Sequence, residues 1–111
     1  MISVLVERSA ATNRIDFFQI SGHADYRKRG KDIVCAAVSA VSIGTVNSIQ
    51  ALAGVELPAE MKDGWLTSHI PILSDQDSES KTQLLLESML TMLKSISKDY
   101  SKHVSVKEEL V

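Results

Sequence analysis

The stretch from Gly30 to Gly54, GKDIVCAAVSAVSIGTVNSIQALAG, decides how this chain folds. After Lys31 and Asp32 it carries no charged side chain, and Ala, Val, Ile and Ser fill most of it. Its β-branched residues lower the intrinsic helix propensity. A run this long with so many small residues nevertheless reads as a helix, from Ile33 to about Leu52, buried on most of its sides. Asp32 is a good N-cap, because its carboxylate can accept an orphan N–H of the first turn. Gly54 closes the helix at the other end.

Working outward, Met1 to Arg8 alternates, with Ile2, Val4 and Val6 on one side, which is strand spacing. Ser9 to Asn13 is a short polar connection, and Arg14 to Ser21 (RIDFFQIS) reads as the returning strand. Gly22 to Lys31 breaks the alternation. It has a glycine near each end and a basic cluster of Arg27, Lys28, Arg29 and Lys31, so it is expected to be an exposed loop. Beyond Gly54, Asp63-Gly64 sits between two extended segments, a hairpin signal, and the second arm runs to Ile70. Ser74 or Asp75 starts a long helix whose acidic first turn (Asp75, Asp77, Glu79) suits its positive end, while Lys94, Lys98 and Lys102 suit the other. His103 to Lys107 alternates again as a last strand. The order β-β-α-β-β-α-β predicts an α+β fold of two layers, one mostly antiparallel sheet of about five strands carrying two helices.

Along the second helix, Leu85, Leu86, Met89, Leu90, Met92, Leu93, Ile96 and Tyr100 fall within an arc of roughly 160°, wider than the ~100° that one sheet covers. The surplus is taken up either by the neighbouring helix or by a second subunit.

With 111 residues there is room for one domain, residues 1–111, and neither the 44% hydrophobic nor the 23% charged content points to disorder. A formal net charge of −2 supplies no global attraction to nucleic acid or anionic membranes. No apolar run is expected to span a bilayer, and the N-terminal residues lack a basic n-region and cleavage site. One Cys excludes an internal disulfide framework and leaves a free thiol suited to a reducing cytoplasm.

Three motifs fail on spacing or company. Gly22 and Gly30-Lys31 are too far apart for a phosphate-binding loop, and Asp32 stands where such a loop has Ser or Thr. His23, His69 and His103 are dispersed and, with one Cys, complete no metal-ligand spacing, so neither metal nor other cofactor is expected. The basic cluster has only Tyr26 as an interleaved aromatic, more like a solvated surface than an RNA site. What remains is Gly22-His23-Ala24-Asp25-Tyr26 followed by Asp32-Ile33-Val34-Cys35 and Ser39.

Taken alone, Cys35 is more often an inert small hydrophobe and His23 a satisfied loop histidine. Placement changes this. With Asp32 as N-cap, Cys35 lies in the first helical turn, where unpaired N–H groups and the helix dipole favour a thiolate. The loop can return His23 to the same place. Thiolate plus imidazole is the minimum for peptide cleavage, and free N–H groups at the helix start could hold the oxyanion. Asp32, Cys35 and Ser39 share one helical face. Ser39 either approaches the sulfur or bonds back to the carbonyl of Cys35. Asp32 helps only if it points at His23 or at the backbone, because a carboxylate near the sulfur opposes a thiolate.

Gly-His-Ala-Asp followed by Gly-Lys-Asp-Ile-Val-Cys-Ala-Ala-Val-Ser resembles the ribosomal-processing cysteine protease family, Prp, along the whole chain. The resemblance implies a homodimeric thiol protease that removes a short N-terminal extension from a bacterial large-subunit ribosomal protein, after a Phe-Phe pair and before a small residue. It implies Cys35 as nucleophile, His23 as general base, and Asp32 and Ser39 as supporting residues. On this reading Gly22 and Gly30 hinge a mobile loop, poorly anchored by apolar contacts, that closes over the substrate. Small side chains at Ala36, Ala37 and Ala40 either leave room for two aromatic rings or pack the helix on the sheet. The competing readings are a non-catalytic ribosome-associated module that binds through the basic loop, and a dimer-forming structural protein with Cys35 buried.

Overall fold

The computed structural model describes residues 1–111. Strand β1 (Ile2–Arg8) pairs antiparallel with β2 (Ile15–Gly22). Its alternation buries Ile2, Val4 and Val6 on one face, as the spacing predicts. The register slips between Glu7 and Arg8, opposite Asp16. That bulge lets Ile15 and Phe18, three residues apart, both face the core.

Helix α1 (Ile33–Ser48) continues into a single π-helical turn (Ile49–Ala53) closed by Gly54. The hairpin of β3 (Ala59–Lys62) and β4 (Trp65–His69) turns at Asp63-Gly64. Helix α2 (Gln76–Asp99) is capped by Asp75, whose carboxylate accepts the Ser78 N–H at 2.9 Å. It carries the chain back over the sheet to β5 (Val104–Leu110), which lies parallel to β1. The sheet order is β3-β4-β2-β1-β5, mixed through that one parallel pair. This is the expected two-layer α+β arrangement, in the expected element order.

Two expectations about α1 need correction. It is not buried on most sides: Val34, Val38, Ser42, Thr45, Ile49 and Ala53 form one buried stripe, and Ile33, Ala36 and Ala40 are exposed. The stripe tolerates its two polar members because Ser42 and Thr45 donate back to the Val38 and Val41 carbonyls, at 2.7 and 2.6 Å. Nor is the chain without a membrane-length apolar segment. Ile33–Ala53 qualifies by length and composition, although here it lies on the sheet.

The apolar arc of α2 is covered only in part. Leu86, Met89, Leu90 and Leu93 are buried, whereas Leu85 is half-buried and Met92 exposed. The last two line an open groove of about 390 Å³ shared with Ala40, Val41 and Gly44 of α1.

Candidate active site

The start of α1, the loop after β2 and the β3–β4 hairpin enclose an open cavity of about 590 Å³. All six residues singled out from the sequence line it: Gly22, His23, Gly30, Asp32, Cys35 and Ser39. Ile20, Val38 and Leu66 give it an apolar floor continuous with the core. Trp65 and Met61 come from the hairpin.

Cys35 is half-buried on the cavity wall, and its Sγ accepts a hydrogen bond from the Ala24 N–H at 3.2 Å. The reading of Cys35 as a sealed core residue therefore fails. A main-chain N–H aimed at sulfur is bound more strongly by a thiolate than by a thiol, because charged acceptors make the stronger bonds.

Asp32 caps α1 as its position predicts, and it does more than that. One carboxylate oxygen accepts the N–H groups of Val34 and Cys35, both at 3.0 Å. The other reaches back to accept Tyr26 N–H at 2.9 Å and Arg27 N–H at 3.3 Å. Burial opposes ionisation of this carboxyl, but the four donors outweigh it and hold the group below the ordinary carboxylate range. Of the two useful orientations left open by the sequence, the carboxylate takes the backbone one. This also narrows the expected oxyanion site to the first N–H of the helix, that of Ile33. The Val34 and Cys35 N–H groups are taken by Asp32, and the Ala36 N–H by the Asp32 carbonyl at 3.0 Å. Ala24 presents the N–H that faces the sulfur.

The loop is better anchored than its composition suggests. Ala24 is 1% exposed, its N–H directed at Cys35 and its carbonyl bonded at 2.8 Å by His103 Nδ1. The Tyr26 ring meets Tyr100 and His103 edge to face, with centroids 5.6 and 5.3 Å away. Past Tyr26 the loop runs exposed through the basic cluster, and Arg29 reaches Asp63 on the hairpin at 3.0 Å. An ion pair this open to water holds the two rims together only weakly.

His23 is exposed and lies against the hairpin turn, with no hydrogen bond to Cys35. A β-carbon on Gly64 would stand 2.7 Å from its Nε2, so the ring occupies space that only glycine leaves free. Gly64 also has φ of +72°, a conformation other residues resist. Gly22 is held by its N–H to the Gly64 carbonyl at 2.8 Å, and a β-carbon there would overlap the Met1 carbonyl. Gly30 has open space around it and is the freer of the two loop glycines. Ser39 is exposed to the cavity, and its hydroxyl makes no bond back into the helix; Ser42 makes that kind of bond instead. Sequence reasoning missed Gly64 and His103. The Asp-Gly pair marks the turn but not the imidazole above it, and in the sequence His103 is only one of three dispersed histidines that complete no metal-ligand spacing.

Comparison with known proteins identifies the family. The family described as cysteine protease Prp matches residues 1–105. The ribosomal processing cysteine protease Prp of Bacillus subtilis (strain 168) is 33% identical over 113 residues, covering 100% of both chains. The protein of that name from Staphylococcus aureus (strain Mu50 / ATCC 700699) is 35% identical over 85 residues, 77% of this chain and 78% of its own. The crystal structure of the S. aureus protease Prp in complex with a covalently linked product peptide superposes with a TM-score of 0.86. It shares 28% identity and covers 97% of this chain and 99% of that one. With a matching fold, a presented thiol and a whole-length family match, the chain belongs to the Prp family of cysteine proteases and is a peptidase.

Proposed function

We propose that the chain is an endopeptidase that removes a short N-terminal extension from a bacterial large-subunit ribosomal protein in the cytoplasm, cutting after a Phe-Phe pair. Cys35 is its nucleophile and His23 its general base and acid. The observation that carries the reading is the shared cavity, with Cys35 half-buried on one wall, His23 on the rim and an apolar floor of Ile20, Val38 and Leu66 between. The floor suits an aromatic side chain next to the scissile bond. Relatives carry the name ribosomal processing cysteine protease, which supports the substrate class.

The steps follow ordinary thiol-protease chemistry. His23 takes the Cys35 proton, and sulfur attacks the scissile carbonyl carbon to give a tetrahedral oxyanion. The C–N bond breaks as the imidazolium of His23 protonates the departing amine, leaving a thioester. Water, deprotonated by His23, attacks the thioester and releases the carboxylate product with the thiol restored. Gly64 leaves the His23 ring room at the cavity rim, and from that position the ring swings toward the sulfur when a peptide fills the cavity. Asp32 supports the site through the backbone, and Ser39 offers its free hydroxyl to the bound peptide.

The working form is a homodimer. Ile33, Leu52 and Leu84 are 57%, 63% and 70% exposed on the two helices, and Met92 stands exposed in the groove between them, apolar area that a second copy would cover.

The test is incubation with a peptide containing Phe-Phe-Ala, read by mass spectrometry. Wild type is expected to cut after the second Phe, whereas Cys35→Ala and His23→Ala are expected to be inactive. Cleavage surviving either substitution refutes the mechanism.

A further inference from the structure

Ala24 is the one residue whose main chain hydrogen-bonds the sulfur of Cys35, and its hold on that position comes from the far end of the sequence. His103 precedes β5, and its own main chain is locked there: its N–H donates to the Tyr100 carbonyl at 2.9 Å and its carbonyl accepts the Ile2 N–H at 2.8 Å. From this fixed point the ring reaches across and bonds the Ala24 carbonyl at 2.8 Å. A carbonyl only accepts, so Nδ1 is the protonated nitrogen. Edge-to-face contact with Tyr26, at 5.3 Å and 82°, keeps the ring from turning.

We infer that His103 is a positioning residue for the peptidase: it holds Ala24 so that the Ala24 N–H faces the reacting sulfur. The inference rests on Cys35 being the nucleophile. Ala24 is 1% exposed, so without His103 its carbonyl is a buried acceptor with no partner. The segment then turns to find water, which draws the Ala24 N–H away from sulfur and shifts the adjoining His23. The ring contact with Tyr26 and the hydrogen bond to Ala24 are separable functions of this side chain. His103→Phe keeps an aromatic ring but has no donor, whereas His103→Asn keeps a donor close to the Nδ1 position but no ring.

The experiment compares wild type, His103→Phe, His103→Asn and Cys35→Ala for kcat and KM on the Phe-Phe-Ala peptide. It adds the rate of Cys35 alkylation by iodoacetamide at neutral pH and the melting temperature. His103→Phe is expected to lose about fivefold or more in both kcat and alkylation rate, as for one hydrogen bond, with KM within about twofold of wild type. His103→Asn is expected to recover most of both. Wild-type rates in His103→Phe overturn the inference, and so does a larger loss in His103→Asn than in His103→Phe, which would make the ring contact the important one. If His103→Phe does not fold, His103→Asn alone decides, near-wild-type rates supporting the inference and a loss overturning it. Cleavage by Cys35→Ala would sink the nucleophile assignment, and the alkylation rates would still report whether His103 sets the surroundings of the thiol.

Discussion

Asp32→Asn is nearly isosteric and removes only the charge and one acceptor. In the native chain the two oxygens of Asp32 receive four main-chain N–H groups, two from α1 and two from the loop that carries His23. An asparagine has one acceptor oxygen, and its NH₂ group must face either Tyr26 and Arg27 or Val34 and Cys35. Either way two donors lose their acceptor. At about 1–3 kcal/mol for each unpaired donor, less where water reaches Arg27, the loss is about 2–3 kcal/mol. For a domain of this size that is a fall of roughly 10 °C in melting temperature. Thermal and urea unfolding of the two proteins at neutral pH measure it. The dependence on pH supplies a second check. The folded carboxyl titrates below its unfolded value, so its contribution is complete above about pH 4 and disappears as pH falls through the folded value. The gap between wild type and Asp32→Asn is therefore expected to be widest near neutrality and to close in acid. A variant that melts within about 2 °C of wild type at neutral pH, or a gap that widens in acid, would refute the account of Asp32 as a clamp between helix and loop.

Gly64→Ala places a β-carbon 2.7 Å from His23 Nε2 and demands an unfavourable φ of +72°. It is expected to cost about 1–2 kcal/mol of stability from the backbone and about tenfold or more in cleavage rate from the displaced ring. Gly54→Ala, at φ of +69° with open space around it, controls for the backbone strain and is expected to leave cleavage unchanged; equal rates in the two variants would remove His23 from the explanation. Ala40→Arg puts a charge into the groove between α1 and α2. Sedimentation should show wild type as a dimer at micromolar concentration and this variant as a monomer, and a monomeric wild type would count against the paired form.

Much of this molecule can be read locally. Alternation in residues 1–8 and 14–21, the Asp-Gly turn and the capped helices depend on neighbours within a few positions, and the elements lie where that periodicity puts them, except the last strand. Read from His103 to Lys107, it runs from Val104 to Leu110, where pairing with β1 carries it past the alternating residues. The position of Cys35 behind an N-cap is equally local, because a helix start is defined by the residues that begin it. Contacts between distant segments set the rest. The second oxygen of Asp32 reaches into the preceding loop, Gly64 makes room for His23, and His103 meets Ala24 across 79 positions of sequence. The exposed face of α1 belongs with these. The helix carries no charge, and small polar and apolar residues alternate without a helical period, so no pattern marks the stripe that meets the sheet, and only packing selects Val34, Val38, Ser42 and Thr45. The local pattern specifies which segments become helix or strand and where a thiol begins a helix; the fold decides which groups surround that thiol, since those hydrogen bonds exist only once the sheet and both helices have closed on one another.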